Sequence, residues 1–432
     1  MLNTATITQL KGVGWRGRER KFKISPHTKG AVLLFFIFLI SGVILVVNET
    51  SRPIFASELA FVSPSVNEIG NTFDVDIKAW ETKINRKYGC KNVVFVTTGV
   101  AHIKTIKYIN KKPVKINIIE VNPKINPNLT IKPQIAGSNL NKRSKISKIA
   151  QKDNAIVAIN GGYFKPQTGA PLGSIMIDGN YITGPVYNRA GIGITQNENG
   201  MEFTIGKTDI KADVSNKKIK IDVDNINQPR MLSTYVLAYT PIWGNMAPIA
   251  PKNGANAVID EGKVTLMSAN PVTIPKNGFV ISGPKEKIYS LSRQENLILN
   301  VQATENFAYV DHIIGGGPYL IKNGEIYIDY NDEKLQAITG ANPRSAIGYN
   351  KEGEFIMVTV DGREKTSVGM TLTQLAKYMK SIGCQNAINL DGGGSSVLYV
   401  KGQIKNSPAN SGGIPISNAL VITEADTKLG AL

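Results

Sequence analysis

Hydrophobic positions along the chain change their spacing several times, and each change predicts a different element. Gly30 to Val47 reads GAVLLFFIFLISGVILVV, an apolar run without a charge, which predicts one membrane-spanning helix. Over 48–92 the pattern is poor and reads as a stalk or linker. Within it only Ile77, Trp80, Ile84 and Tyr88 recur at helical spacing, predicting one short amphipathic helix. From Val93, runs such as VVFVTT and VKINIIEV read as strands, followed by turns rich in Pro, Asn and Lys through Pro133. Ser144 to Lys152 predicts a short helix with Ile146, Ile149 and Ala150 on one face. Gly191 to Ser292 alternates apolar residues with Asn, Pro and Gly turns, the mark of a β-rich middle.

Four apolar runs end in a polar residue or a glycine turn. Ala155 to Ile159 precedes Asn160-Gly161-Gly162-Tyr163, and Asp311 to Ile314 precedes Gly315-Gly316-Gly317-Pro318. Phe355 to Val360 precedes Asp361-Gly362-Arg363, and Ala387 to Leu390 precedes Asp391-Gly392-Gly393-Gly394-Ser395-Ser396. Between the last two lies the best-marked helix. Thr371 and Gln374 form a capping-box pattern, Met370 can staple against Leu375, and Gly383 marks the stop. Leu372, Leu375, Ala376, Met379 and Ile382 give it one apolar face. A strand-helix-strand unit delivers both aspartate loops to one end of a sheet if its strands are parallel. The expected fold is a mixed α/β, or α+β, domain over 93–424: a β-rich sheet with few helices, preceded by the transmembrane helix over 30–47. Residues 1–29 form a basic tail and 425–432 a short C-terminal tail.

Charge sharpens the membrane reading. Lys11, Arg16, Arg18, Arg20, Lys21, Lys23 and Lys29 precede the apolar run, which places the N-terminus in the cytoplasm and the domain outside it. A cleaved signal peptide competes. Its best cleavage site, Ile54-Phe55-Ala56, departs from the small-x-small pattern, so the uncleaved anchor is favoured. The formal net charge is +17; seven basic residues and one Glu lie in the first thirty positions, leaving an excess of eleven positive charges on the remainder. That surplus suits anionic partners such as sugar phosphates, glycopolymers or lipid headgroups. No basic stripe interleaved with aromatics appears, which argues against nucleic acid. The two cysteines, Cys90 and Cys384, could pair or remain two buried thiols.

The loops carry the candidate chemistry. In Asp391 to Ser396 the glycines allow close approach of an anion, and successive N–H groups and two hydroxyls could surround phosphate oxygens. Arg344, in Asn342-Pro343-Arg344-Ser345, is the cation best placed to fork two phosphate oxygens; a salt bridge to Asp361 or Asp391 is its structural alternative. Asp361 and Asp391 could form an acid/base pair or hold a divalent cation. Asn160 could bind sugar hydroxyls, with Gly161 and Gly162 letting the backbone approach and Tyr163 offering a flat surface. His102 and His312 lack zinc spacing, and His312 reads better as structural than as catalytic.

Taken in order, AINGGYF, GGGPYLIKNG, NPRSAIGYN, VTVDGR, GMTLTQLAKYMKSIGCQNAINLDGGGSS and SNALVI resemble the phosphodiester glycosidase family, over roughly Val93 to Thr423. The resemblance implies hydrolysis of a sugar-1-phosphate diester, releasing sugar and leaving a phosphomonoester. It places the family's motif positions on Asn160, Gly161, Gly162, Gly317, Arg344, Asp361, Asp391, Gly392, Gly393 and Ser395; Gly316, Gly394 and Ser396 flank them. Ile414 stands where the family pattern leads one to expect an arginine, removing an expected second phosphate contact. Asp391 or Asp361 would activate water at the anomeric carbon, the other orienting the sugar or binding a cation. Two rival readings use the same residues: metal-assisted attack at phosphorus, and a non-catalytic module that binds an anionic envelope glycopolymer.

Overall fold

The computed structural model of the protein describes residues 66–197 and 200–425. The apolar run over 30–47, its basic flank over 1–29 and nearly all of the C-terminal tail over 425–432 lie outside the described residues. Among the described residues, no helix is long and apolar enough to cross a membrane.

The molecule is built around an eight-stranded antiparallel sheet whose strands run, in spatial order, 93–97, 100–109, 112–121, 355–360, 344–349, 386–389, 319–322 and 325–326. Its central strands are buried on both faces, which is why FIMVTV is a nearly unbroken apolar run and why even Asn117 and Glu120 within VKINIIEV are buried. One face packs against the helices Val66–Tyr88 and Leu372–Ser381 through Ile103, Ile116, Ile118, Val358 and Leu375. The other packs through Ile119, Met357, Ile347 and Ile388 against two five-stranded sheets. One of these contains Val157–Asn160 and Asn418–Glu424; the other contains His312–Gly315 and Ala190–Asn197. Residues between 210 and 303 build further sheets with their own core around Val214, Ala257, Ile281 and Leu297, as the alternating middle of the sequence predicts.

The helix expected in the connector is present, but it is not part of a stalk. It spans Val66–Tyr88, with Trp80 and Ile84 buried in the main core. Two buried carboxylates pin it: Lys83 bridges to Glu354 at 2.8 Å, and Lys87 and Tyr88 both donate to Glu120. The globular unit therefore starts at about residue 65 rather than 93. Helical spacing revealed the apolar stripe, whereas the acidic partners at 120 and 354 left no local trace. Cys90 is exposed and Cys384 buried, and both are free thiols.

Candidate active site

Topology decides where the loops go. Strand Arg344–Tyr349 pairs antiparallel with both Phe355–Val360 and Asn386–Asn389, with Arg344 opposite Val360 and Ala346 opposite Asn389. The two outer strands are therefore parallel to each other, and the capped helix Leu372–Ser381 connects them. Asp361 and Asp391 leave the sheet at the end where Arg344 enters it. Thr371 accepts from the Gln374 N–H and Gln374 returns a bond to the Thr371 N–H, so the helix begins where the sequence places it.

The second sheet arrives at the same point. Asn160 closes strand Val157–Asn160, and its amide donates to the Asp391 carbonyl at 2.7 Å while its oxygen accepts from Ser345 Oγ at 2.6 Å and from the Val397 N–H. It is 1% exposed. This corrects the expectation that Asn160 binds sugar: the amide is a tie between the two sheets, and both its ends are occupied. Gly161 and Gly162 donate their N–H groups to the carbonyl and side-chain oxygen of Asn418. A Cβ at Gly161 would lie 1.8 Å from Asn418 Oδ1, so a larger residue cannot sit there without displacing that asparagine. Gly316 and Gly317 likewise direct their N–H groups to the carbonyls of Ala190 and Asn389. Gly317, at φ 111°, leaves no space for a Cβ beside Glu333. These glycines let strand ends converge; their donors are not available to substrate.

The same correction reaches part of the Asp391 loop. The Gly392 N–H donates to its neighbour's Oδ1 at 2.9 Å and the Gly393 N–H to the Pro343 carbonyl at 2.9 Å. Ser395 and Ser396 donate their N–H groups back to Gly392 and Gly393. None of these bonds uses the Gly394 N–H, which leaves one donor of the expected cradle. Ser396 Oγ is buried without a partner. Ile414 packs 3.6 Å from the position a Gly394 Cβ would occupy, so an apolar wall stands where the family resemblance suggested a cation.

Arg344 is 2% exposed and held by backbone alone: Nε donates to the Met370 carbonyl at 2.9 Å, and one terminal nitrogen donates to the carbonyls of Ile338 and Gly340. Among the described ion pairs none involves Arg344. The salt-bridge alternative is thereby removed. Burial pulls the guanidinium down from its ordinary value, yet an arginine remains protonated in proteins. A buried cation without a carboxylate is an unfavourable arrangement that an incoming anion relieves.

The two aspartates differ sharply. Asp361 is buried; one carboxylate oxygen accepts from the Ser407 N–H at 2.8 Å, and Asn406 also bonds to it. It fastens the loop after the last hairpin. Asp391 is half-buried, and burial pushes its carboxyl up to about 6, against opposing pulls from Ser395, the Gly392 N–H and Arg189. Asp361 is raised by burial too, then drawn down by Ser407 and Asn406. Different groups thus act on each: Ser407 and Asn406 on Asp361, and Ser395, the Gly392 N–H and Arg189 on Asp391. No group of three or more His, Cys, Asp or Glu among the described residues could hold a metal ion.

Two residues of the site, Arg189 and Glu333, left no clear signal in the sequence, and a third, Arg363, stood in VTVDGR without an assigned role. Arg189 is 8% exposed and stacks over the Tyr163 ring, 4.8 Å from its centroid, and over Tyr187 at 5.6 Å. Tyr163 therefore presents a face already covered by a cation, not a free platform for sugar, and its hydroxyl donates to the Gly317 carbonyl at 2.8 Å. Glu333, wholly buried, accepts the N–H groups of Ala190 and Tyr319 and so fixes the cis Gly317-Pro318 turn. Arg363, exposed and at φ 64°, bonds Asn342 Oδ1 and reaches within 3.0 Å of where a Gly393 Cβ would be. His312 accepts the Asp178 N–H on Nδ1 at 3.1 Å and is a structural histidine.

Residues 253–423 match the family model described as phosphodiester glycosidase. Over that segment the chain is similar to the phosphodiester glycosidase family. The matched segment holds Gly316, Gly317, Arg344, Asp361 and the whole Asp391 loop; Asn160 to Tyr163 and Arg189 lie before it. The chain is similar to N-acetylglucosamine-1-phosphodiester alpha-N-acetylglucosaminidase of mouse, 30% identical over 109 residues, covering 23% of this chain and 21% of that protein. The human enzyme of the same name is 29% identical over 170 residues, covering 36% of this chain and 30% of the relative. The chain thus spans a fifth to a third of the length of these relatives. A hypothetical protein from Synechocystis has a similar fold, with a TM-score of 0.70 and 24% identity over 77% of this chain and 63% of that one. That likeness extends the shared fold well beyond the segment matched by the phosphodiester glycosidase model.

Proposed function

We propose that the domain hydrolyses a sugar-1-phosphate diester at the glycosidic C–O bond, on an extracytoplasmic glycan or glycopolymer. One observation carries the reading: a half-buried carboxyl poised at about 6 adjoins Gly392, which lies against the side chain of Arg344, a buried arginine without a carboxylate partner. Near neutral pH Asp391 is largely ionised and basic enough to take a proton from water. That water attacks the anomeric carbon, the C–O bond breaks, and the electron pair leaves on the phosphate oxygen. The departing phosphomonoester has a second pKa of about 6, so it leaves with little need of protonation. Arg344, assisted by the Gly394 N–H and by Arg189 and Arg363 around the loop, supplies the positive field that this developing charge requires. The similar mammalian enzymes, named for a sugar phosphodiester, support this substrate class. The basic flank and apolar run over 11–47 support an extracytoplasmic domain on a cytoplasmic-membrane anchor.

Release of free sugar from a panel of sugar-1-phosphate diesters by the full-length protein tests the proposal, beside Arg344→Ala. Turnover in the wild type, reduced at least a hundredfold in the variant, is the expected result. Binding of the diesters without release of sugar by the wild type would instead make the domain a glycopolymer-binding module.

A further inference from the structure

Away from Asp391, a cavity of about 800 Å³ opens between the hairpin 93–109 and the short strand Gln403–Ile404. Lys91, Lys104 and Lys405 line it and no carboxylate does. Among the described ion pairs none neutralises any of the three. Val94, Ile106 and Ile404 supply apolar walls. At its floor His102, 7% exposed, meets Asn117 Oδ1 at 3.1 Å through Nε2. Asn117 is wholly buried, and its Nδ2 donor has no partner. Asn117 does not line the cavity itself; it sits behind His102 and holds that ring in place.

We infer that this cavity is a second anion-binding site, which takes a phosphate group on Lys104 and Lys405. Lysine ammonium groups serve tetrahedral anions as mobile point charges, and the apolar walls accommodate carbon attached to the phosphate. The site is separate from the reaction centre but connected to it. Lys104, Asn117, Thr359 and Ser345 stand directly opposite one another across four neighbouring strands, and Ser345 bonds Asn160 beneath Asp391. Three strand spacings place Lys104 about 14 Å from Ser345. Lys405 also lies two residues before Ser407, whose N–H is held by Asp361. An anion on Lys405 therefore bears on the loop that Asp361 fastens.

Phosphate titration of the full-length protein provides the test, read by calorimetry and by the histidine ring NMR signals. The wild type, Arg344→Ala and Lys104→Gln/Lys405→Gln are compared; the lysines extend from the surface, so the double variant retains the fold. A phosphate site that survives in Arg344→Ala and weakens at least tenfold in the double variant is expected. An anion there also raises the pH at which His102 titrates, because burial and the two lysines hold it low in the free protein. Parallel titration with poly(glycerol phosphate) separates the sources: tighter binding per phosphate than inorganic phosphate assigns the cavity to a polymer backbone, weaker binding to free phosphate. Failure of both probes to bind, or equal binding by the double variant and the wild type, overturns the inference. Either failure leaves the reaction at Asp391 untouched, since Arg344→Ala reports on that centre independently.

Discussion

Asp391 and Asp361 occupy equivalent places in the sequence, each following a buried strand, and their surroundings give them different work. An aspartate in an unfolded chain ionises near 3.9, whereas folding pushes Asp391 up to about 6. The folded state therefore holds the extra proton between those values, and stability falls as pH rises from about 4 to about 6. Asp391→Asn removes that ionisation. Denaturant midpoints should show it more stable than the wild type at pH 7, by on the order of 1 kcal/mol, and without that gain at pH 3.5. Sugar release should fall by about a thousandfold in the same variant. In the wild type kcat/KM should decline as pH falls through about 6, as Asp391 takes up its proton. Arg189 pulls the Asp391 carboxyl downward. Arg189→Gln should accordingly move that acidic limb to higher pH, a shift measured in the pH profile and not expected of a merely structural arginine. The aspartates and Arg344 were legible because strand ends and a restrained arginine leave local marks. Arg189 was not: its position depends on stacking against Tyr163, supplied by a different loop. Asn160 was legible as a site residue but not as a tie, because Ser345 and Val397 reach it from distant segments.

The elements themselves divide along the same line. The helix Leu372–Ser381 could be read almost residue by residue, since its cap and its apolar face are encoded within the helix and at its N-cap. Thr371→Ala removes one half of the reciprocal cap and should cost about 1 kcal/mol, seen as a lower thermal midpoint. Val66–Tyr88 was legible only as an apolar stripe of four residues; its docking depends on Glu120 and Glu354 in other strands. The triple-glycine loop shows the limit of composition. Glycines permit an anion cradle and equally permit dense convergence of strands, and here Gly316, Gly317, Gly392 and Gly393 have their donors occupied by the protein itself. Closing a sheet end requires such donors to be satisfied internally, and only Gly394 escapes that demand.

Across the whole molecule, the feature that makes chemistry available is the parallel relation of two strands separated by a third. It carries Asp361, Arg344 and Asp391 to one end of the large sheet, while the second sheet brings Asn160 to the same point. Sequence order suggested the strand-helix-strand unit; the intervening strand 344–349, which precedes both partners in the chain, could be placed only by the pairing itself. The resulting centre concentrates positive charge around a raised carboxyl, a field suited to the departure of phosphate from an anomeric carbon. Hydrolysis of a sugar-1-phosphate diester in oxygen-18 water, with mass analysis of both products, tests that claim most directly. Attack at carbon predicts the label in the released sugar and none in the phosphomonoester; label in the phosphate would show cleavage at phosphorus and contradict the account.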